Sequence, residues 1–203
     1  MIDINPDNQN QQTIKDSITI SGVGLHSGKQ VEMTLLPAGI NHGVKFVRSD
    51  KKDDNEIQAI WSNVTETVLS TTISNQIGLK ISTIEHLMSA LSGLHIDNLL
   101  IYINASEVPI MDGSSKPFVD LIEKVGVKIQ NKKRKLLNIK KDIEVKNENS
   151  SVKIVPNKQF SIDFEIDFPS QLVSKQSCQL QLINGNYKTD IASARTFGFE
   201  KDV

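Results

Sequence analysis

Two adjacent residues, Glu85 and His86, have side chains that could carry out hydrolysis at a metal ion. A neutral imidazole is a common zinc ligand, and a neighbouring carboxylate can take a proton from metal-bound water. Both residues lie in residues 82–94, where apolar side chains recur at helical spacing: Ile84, Leu87, Met88, Leu91 and Leu94. This pattern predicts an amphipathic helix that ends near Gly93 and positions the pair at its beginning.

The helix face opposite this apolar stripe carries His86 and has no Lys, Arg, Asp or Glu between residues 87 and 96. Because solvent-exposed helix faces usually carry charged residues, we expect this face to line a cleft or to meet another layer. A structural role is the alternative. Ser82 is a good N-cap with Glu85 as its capping-box partner, and a lone helical histidine is more often structural than catalytic. Spacing alone leaves both interpretations open.

Two further polar motifs lie in predicted loops. His26 lies in the glycine-rich residues 22–29, where it could approach a cleft or only hydrogen-bond to backbone. The Asp112-Gly113-Ser114 motif precedes a helix, and there Asp and Ser usually make turn and capping bonds. We therefore interpret Asp112 as structural.

The elements that must hold these residues are strands interrupted by two helices, which predicts the α+β class. Residues 14–20 and 31–35 alternate in strand style and predict a hairpin. Between the helices, residues 96–104 predict an inner strand. The second helix should begin near Ser114 or Ser115 and stop at Gly126. Four more strands are predicted at residues 43–48, 56–61, 69–74 and 79–82.

A basic run at residues 128–135 contains almost no apolar side chains and predicts a solvated linker between domains. After it, residues 136–146, 151–155 and 160–168 predict strands. The predicted organisation is a loose tail at residues 1–12, a first domain at 13–127, a linker at 128–135 and an incomplete second domain at 136–203.

The 203 residues are 38% hydrophobic, with a formal net charge of −1 and a single cysteine. That content supports a globular core, and the balanced charge argues against nucleic acid as a partner. One cysteine cannot form an internal disulfide, which favours a reducing cytoplasm. We expect no transmembrane segment, because no apolar run has the required length.

Five motifs together resemble those of one known family, the zinc-dependent UDP-3-O-acyl-N-acetylglucosamine deacetylases of lipid A biosynthesis. In chain order they are GVGLHSGK (22–29), STIEHL (82–87), GLHIDN (93–98), PIMDGS (109–114) and ARTFGF (194–199). The resemblance begins near residue 12 and covers the N-terminal two-thirds of the family pattern. It implies a two-layer α/β sandwich, a sheet backed by helices, followed by the incomplete start of a second, similar domain, with the active site between the two.

The resemblance also implies the roles of individual residues. Zn²⁺ would be the cofactor, His86 one of its three protein ligands, and Glu85 the general base that activates water. Thr196 would help to hold the tetrahedral oxyanion. The substrate would be UDP-3-O-acyl-N-acetylglucosamine, and its lipid part implies transient contact with a membrane surface. The residues expected to contact the substrate are Leu69, Ser70, Phe197 and His26.

Some parts of the family pattern are absent from this sequence. The other two zinc ligands of the family belong to a His-Lys-x-x-x-Asp motif, and no histidine here is followed five residues later by Asp. We therefore expect a chain truncated before the remaining ligands. Its activity could be the complete deacetylation, or it could be a non-catalytic sugar-nucleotide-binding module or an inactive fragment of the family.

Overall fold

The computed structural model describes residues 10–181 and 186–198, which divide into two compact units. Of these residues, those up to Arg134 and those from Tyr187 onward form the first unit. Lys135–Asn186 contains the second unit. Residues 1–9 of the predicted tail lie outside the described residues.

The first unit contains ten strands and three helices within the described residues. Its strands are β1 (Asn10–Ile14), β2 (Ile18–Val23), β3 (Gln30–Pro37), β4 (Val44–Arg48), β5 (Glu56–Gln58), β6 (Val64–Glu66), β7 (Thr72–Ser74), β8 (Lys80–Ile81), β9 (Leu99–Ile103) and β10 (Val127–Lys133). Its helices are α1 (Glu85–Gly93), α2 (Lys116–Val125) and α3 (Tyr187–Asp190). A 3₁₀ turn spans Trp61–Asn63.

The main sheet has five strands in the order β2-β3-β9-β4-β5. The central strand β9 pairs antiparallel with β3 and parallel with β4, which confirms the prediction of an inner strand. Its alternate residues Leu99, Ile101 and Ile103 are buried, as are Val31, Met33 and Leu35 of β3. This period-two pattern packs one face of the sheet into the core.

Helix α2 begins and ends as predicted, with Pro117 in its first turn and Gly126 at its C-terminus in a left-handed conformation, φ 84°. Helix α1 does not begin with the predicted capping box. Ile84 is the N-cap residue and makes no side-chain capping bond, while the hydroxyl of Ser82 donates to the carbonyl of Ser106 at 3.2 Å. Glu85 is thus free of the structural role that its spacing suggested.

The basic segment that we predicted to be a linker contains strand β10, which pairs antiparallel with β1. Side-chain amides support this pair: Asn98 donates to Gln11 at 2.9 Å and to Gln130 at 2.7 Å. The segment needs few apolar residues, because backbone pairing and hydrogen bonds from a side-chain amide hold it. A buried apolar stripe is not required. Residues 10–12, which we predicted to belong to the loose tail, are likewise part of β1.

The second unit consists of two hairpins. They pair β11 (Ile143–Lys146) with β12 (Ser151–Ile154), and β13 (Ser161–Asp167) with β14 (Lys175–Gln181). Three of these strands lie within predicted ones, and β14 was missed. Residues 187–198, which we assigned to the second domain, group with the first unit instead.

The described residues therefore form an α+β chain with few helices and several sheets, as the sequence predicted at this coarse level. Of the helices in this part of the chain, none has the length and apolar character that a membrane span requires.

Candidate functional site

Glu85 is the first residue of α1, and its side chain is half-buried. The backbone N–H of Thr71 donates to its Oε2 at 3.0 Å, and the N–H of Ile84 donates to the carbonyl of Thr71 at 3.3 Å. These two bonds attach the segment before β7 to the beginning of α1. They orient the Glu85 carboxylate and leave Oε1 without a hydrogen-bond donor in the described part of the chain.

Glu85 lines a pocket of about 370 Å³ whose wall is mostly apolar. The wall residues lie in the 3₁₀ turn, β6, β7 and α1 or directly before one of these elements: Ala59, Ile60, Trp61, Val64, Thr71, Ile73, Ile84, Met88 and Ser89. Trp61 is 89% exposed at the rim of this pocket. An apolar pocket with one carboxylate is a common form of small-molecule site, because the polar group can orient a ligand that the wall binds.

His86 follows Glu85 on the first turn of α1 and is also half-buried. Among residues 10–181 and 186–198, no group forms a hydrogen bond with its ring. The imidazole is therefore not used by the fold in the way that a structural histidine usually is. Its partial exposure leaves it accessible to a ligand or a metal ion.

Leu69 and Ser70 lie in the irregular stretch between β6 and β7, directly before the Thr71 that binds Glu85. Leu69 has a left-handed backbone, φ 60°, and an exposed side chain, while Ser70 is half-buried. The structure thus brings this predicted pair into the segment attached to the beginning of α1.

His26 is exposed in the loop between β2 and β3. Its backbone N–H, and not its imidazole, donates to Oε1 of Glu107 at 2.9 Å. Glu107 was not among the residues predicted from the sequence. The available signal was a single acidic residue directly before an apolar run, Val108-Pro109-Ile110, where a buried carboxylate needs several donors.

Thr196 and Phe197 are exposed and lie near the loop before α2. The N–H of Thr196 donates to the carbonyl of Gly113 at 2.9 Å, and Arg195 Nε donates to the carbonyl of Asp112 at 2.7 Å. Within the described residues, no hydrogen bond joins Thr196 to Glu85 or His86. The motif at 194–199 therefore joins the motif at 109–114, with Phe199 outside the described residues.

Asp112 has the turn role that we predicted. Its Oδ1 accepts the backbone N–H of Ser114 at 2.9 Å and the hydroxyl of Ser114 at 2.7 Å. The Ser114 hydroxyl is the main cause that holds the pKa of Asp112 below its ordinary value. Asp112 thus stabilises the loop against which Thr196 lies.

The fit of these residues to a zinc ion is partial. In the described part of the chain, no group of three His, Cys, Asp or Glu side chains could hold a metal ion. Catalytic zinc sites normally use three protein ligands and one open position. His86 can supply one ligand with Glu85 beside it, and the set is incomplete without further donors.

Comparison with known proteins agrees with these motifs. A family model described as UDP-3-O-acyl N-acetylglycosamine deacetylase, LpxC, matches residues 11–203. The chain is 42% identical over 193 residues to a UDP-3-O-acyl-N-acetylglucosamine deacetylase of Syntrophus aciditrophicus, covering 95% of this chain and 61% of that protein. It is 43% identical over 195 residues to proteins of the same name from Shewanella halifaxensis and Shewanella pealeana, covering 95% of this chain and 64% of each.

The chain thus spans a little over three fifths of the length of these curated relatives. Its match to the family extends over almost all of its own residues, from the first strand onward. The chain belongs to the UDP-3-O-acyl N-acetylglycosamine deacetylase family.

Proposed function

We propose that this chain takes part in zinc-dependent removal of the N-acetyl group from UDP-3-O-acyl-N-acetylglucosamine, in lipid A biosynthesis. The observation that carries the proposal is the adjacent Glu85 and His86 at the beginning of α1, both half-buried, with Glu85 on the wall of a pocket. Membership of the family supplies the reaction and the substrate class, because the relatives carry the deacetylase name.

In this proposal Glu85 is the general base. Its Oε2 accepts the N–H of Thr71, which fixes the carboxylate, and Oε1 is the atom that takes the proton of the attacking water. The water oxygen then bonds to the amide carbonyl carbon. The proton held by Glu85 passes to the amide nitrogen as the C–N bond breaks, which gives acetate and the free amine of the sugar.

A bound zinc ion would supply Lewis-acid polarisation of the amide carbonyl. His86 would be one of its ligands, and the remaining ligands would have to come from beyond the described residues. Thr196 would help to stabilise the oxyanion. Leu69, Ser70, Phe197 and His26 would contact the substrate.

A non-catalytic, sugar-nucleotide-binding role is the second candidate. The observation that favours it is the incomplete ligand set in the described residues, since a single imidazole holds zinc only weakly. The same pocket and loops would then bind the substrate without hydrolysing it.

The remaining parts of the proposal concern organisation and place. We propose that the first domain, at residues 13–127, is a two-layer sandwich and that a second domain of similar architecture follows it. We expect the chain to work in the cytoplasm and to meet the membrane surface transiently through the lipid part of its substrate.

The test uses the purified 203-residue chain with Zn²⁺ and UDP-3-O-acyl-N-acetylglucosamine. Release of acetate and substrate binding by calorimetry are measured in parallel for the wild type, Glu85→Gln and His86→Ala. We expect Zn²⁺-dependent hydrolysis that Glu85→Gln abolishes with little loss of binding, because the amide cannot accept the proton. Ser92→Ala is the matched control, since Ser92 is an exposed residue of α1.

Binding without hydrolysis in the wild type would overturn the catalytic proposal in favour of the binding module. Hydrolysis that Glu85→Gln leaves unchanged would overturn the role of Glu85. If the wild type neither binds nor hydrolyses the substrate, both candidate functions fail.

A further inference from the structure

Glu107 is a buried carboxylate, 2% exposed, that accepts hydrogen bonds from two segments carrying candidate site residues. Its Oε1 accepts the backbone N–H of His26 at 2.9 Å and the hydroxyl of Thr83 at 3.0 Å. Its Oε2 accepts the backbone N–H of Ser27 at 2.9 Å. One side chain therefore joins the loop of His26 to the residues directly before Glu85 and His86.

The backbone of Glu107 is fixed as firmly as its side chain. Ser82 and Glu107 form a parallel bridge, in which the N–H of Ser82 donates to the carbonyl of Ser106 at 2.9 Å. The N–H of Val108 donates in turn to the carbonyl of Ser82 at 3.1 Å. The carboxylate thus reaches the loop from a backbone that is itself bonded to the approach of α1.

The loop of His26 closes tightly over this carboxylate. A Cβ atom at Gly24 would lie 2.5 Å from Oε2 of Glu107 and 2.3 Å from Oγ of Ser27, so only glycine fits. The N–H of Gly24 donates to the carbonyl of Lys29 at 3.0 Å, which closes the loop at its base. The loop conformation and the position of the carboxylate therefore depend on each other.

The hydrogen bond from Thr83 to Glu107 helps to hold an unfavourable backbone conformation. Its backbone is left-handed, φ 57°, which is uncommon for a β-branched residue. Such a conformation persists only when its surroundings hold it. The buried hydroxyl bond to Glu107 is one such restraint, and Thr83 lies two residues before Glu85.

We propose that Glu107 is a positioning residue for the deacetylation site: its carboxylate fixes the His26 loop relative to the Glu85–His86 turn of α1. The inference rests on the proposed function for its catalytic consequence. Glu107 itself is buried and touches neither substrate nor metal in this role. It acts through the backbone of His26 and the side chain of Thr83.

A carboxylate suits this position because three donors converge on it and an ionised carboxylate only accepts. Gln has nearly the same shape but places an NH₂ group where an acceptor is needed. One of the three donors then faces another donor and loses its partner, which is costly in a buried site. Glu107→Gln thus disrupts the hydrogen bonds that join the His26 loop to Thr83 while keeping the volume of the side chain.

The experiment compares Glu107→Gln with Asp97→Asn in the 203-residue chain. Asp97 is a matched control, because it accepts the N–H of Gln12 at 2.8 Å and Arg134 Nε at 2.8 Å, with no bond to His26 or Thr83. Two readouts are taken: NMR hydrogen exchange and amide shifts of His26, Ser27, Glu85 and His86, and the kcat and KM of acetate release.

For Glu107→Gln we expect faster exchange at His26 and Ser27 and shifted amide signals at Glu85 and His86. We also expect kcat to fall by about 10- to 100-fold with KM changed much less. A misplaced group reduces the stabilisation of the transition state more than it reduces substrate binding. Asp97→Asn should leave these four amides and kcat near their wild-type values.

A milder variant covers the case in which Glu107→Gln does not fold. Thr83→Val keeps the side-chain shape and removes only the hydroxyl bond. It should shift the signals of Glu85 and His86 while leaving the exchange of Ser27 unchanged, since Ser27 bonds to the other carboxylate oxygen.

The proposal is overturned if the four amides are unchanged in Glu107→Gln, or if Asp97→Asn changes them equally. Equal effects would mean that Glu107 contributes only general stability. An inactive wild type would contradict the proposed function and not the positioning role, because the NMR readout needs no activity.

Discussion

The two units of the chain differ sharply in how far their apolar side chains are buried. In the first unit, Phe46 of β4 is 0% exposed within the main sheet. In the second unit, Phe164 of β13 is 59% exposed, and no residue of its four strands is buried. Both units have well-paired strands, so backbone pairing alone does not produce a core. A second layer of side chains is needed, and only the first unit has one among the described residues.

This difference explains where the candidate site residues lie. Each of them belongs to the first unit, including Thr196 and Phe197, which follow the second unit in the chain. Helix α3 holds that segment: the Tyr187 hydroxyl lies 2.7 Å from the hydroxyls of both Ser89 and Ser115. A packed core with buried polar bonds can fix side chains closely enough for chemistry.

The largest expected effect comes from truncating matched phenylalanines in the two units. Phe46→Ala should lower the free energy of unfolding by about 3–5 kcal/mol, because it removes a buried ring and leaves a cavity. Phe164→Ala should change it by less than about 1 kcal/mol, since that ring is already exposed. Urea denaturation followed by circular dichroism measures both. Equal losses would contradict the contrast between the units.

The next effect concerns the contact between α1 and α3. A Cβ atom at Gly93 would lie 2.2 Å from Cδ1 of the Tyr187 ring, so Gly93→Ala should lower the free energy of unfolding by about 1–3 kcal/mol. Gly39→Ala is the control, because a Cβ atom there meets nothing within 4 Å. Thermal unfolding of both variants tests this, and a stabilised Gly93→Ala would show that α3 does not pack there.

A smaller loss is expected from the hydroxyl of Tyr187. Tyr187→Phe removes the bonds to Ser89 and Ser115 and should lower the free energy of unfolding by about 1–2 kcal/mol. Tyr102→Phe is the matched control, because Tyr102 is exposed and its hydroxyl makes no hydrogen bond to the part of the chain that the structure describes. The prediction fails if the two phenylalanine variants unfold at the same urea concentration.

The smallest effect is a change in acid dependence. Burial alone would raise the pKa of Glu107, but hydrogen bonds from His26, Ser27 and Thr83 outweigh it and hold the pKa below its ordinary value of 4.5. The stability that ionised Glu107 contributes is complete above pH 4.5 and is lost as the pH falls through the lower pKa of the folded state.

Glu107→Gln should therefore weaken the decline in stability below pH 4.5, measured by urea denaturation at a series of pH values. Glu148→Gln, which changes an exposed carboxylate in the turn of the second unit, should leave that decline unchanged. An identical decline in Glu107→Gln and the wild type would mean that Glu107 has the same pKa folded and unfolded.

Periodicity predicted most of the elements around the site. The spacing of Leu87 and Leu91 placed α1 correctly, and the β-rich residues 96–104 became the central strand of the main sheet. These predictions succeed because the burial of one face of an element determines its sequence pattern more strongly than local conformational preference does. The capping box failed, because Ser82 is held in a bridge with Glu107 and cannot turn toward the helix.

Long-range polar contacts could not be predicted from the sequence. Strand β10 has no apolar stripe, and it exists because β1 and the Asn98 amide meet it from distant parts of the chain. Glu107 was missed for the same reason, since its donors lie 81 and 24 residues away along the chain. Sequence patterns report which face is buried, whereas such partners depend on the completed fold.

The left-handed backbone of Thr83 places a local penalty of about 1–2 kcal/mol two residues before Glu85. Glycine would relieve that penalty, yet it would also remove the hydroxyl and the stiffness that direct the chain into α1. Protein engineers who seek a more heat-resistant variant would find Thr83 an attractive target. We expect the gain in melting temperature to come with less precise positioning of Glu85 and His86.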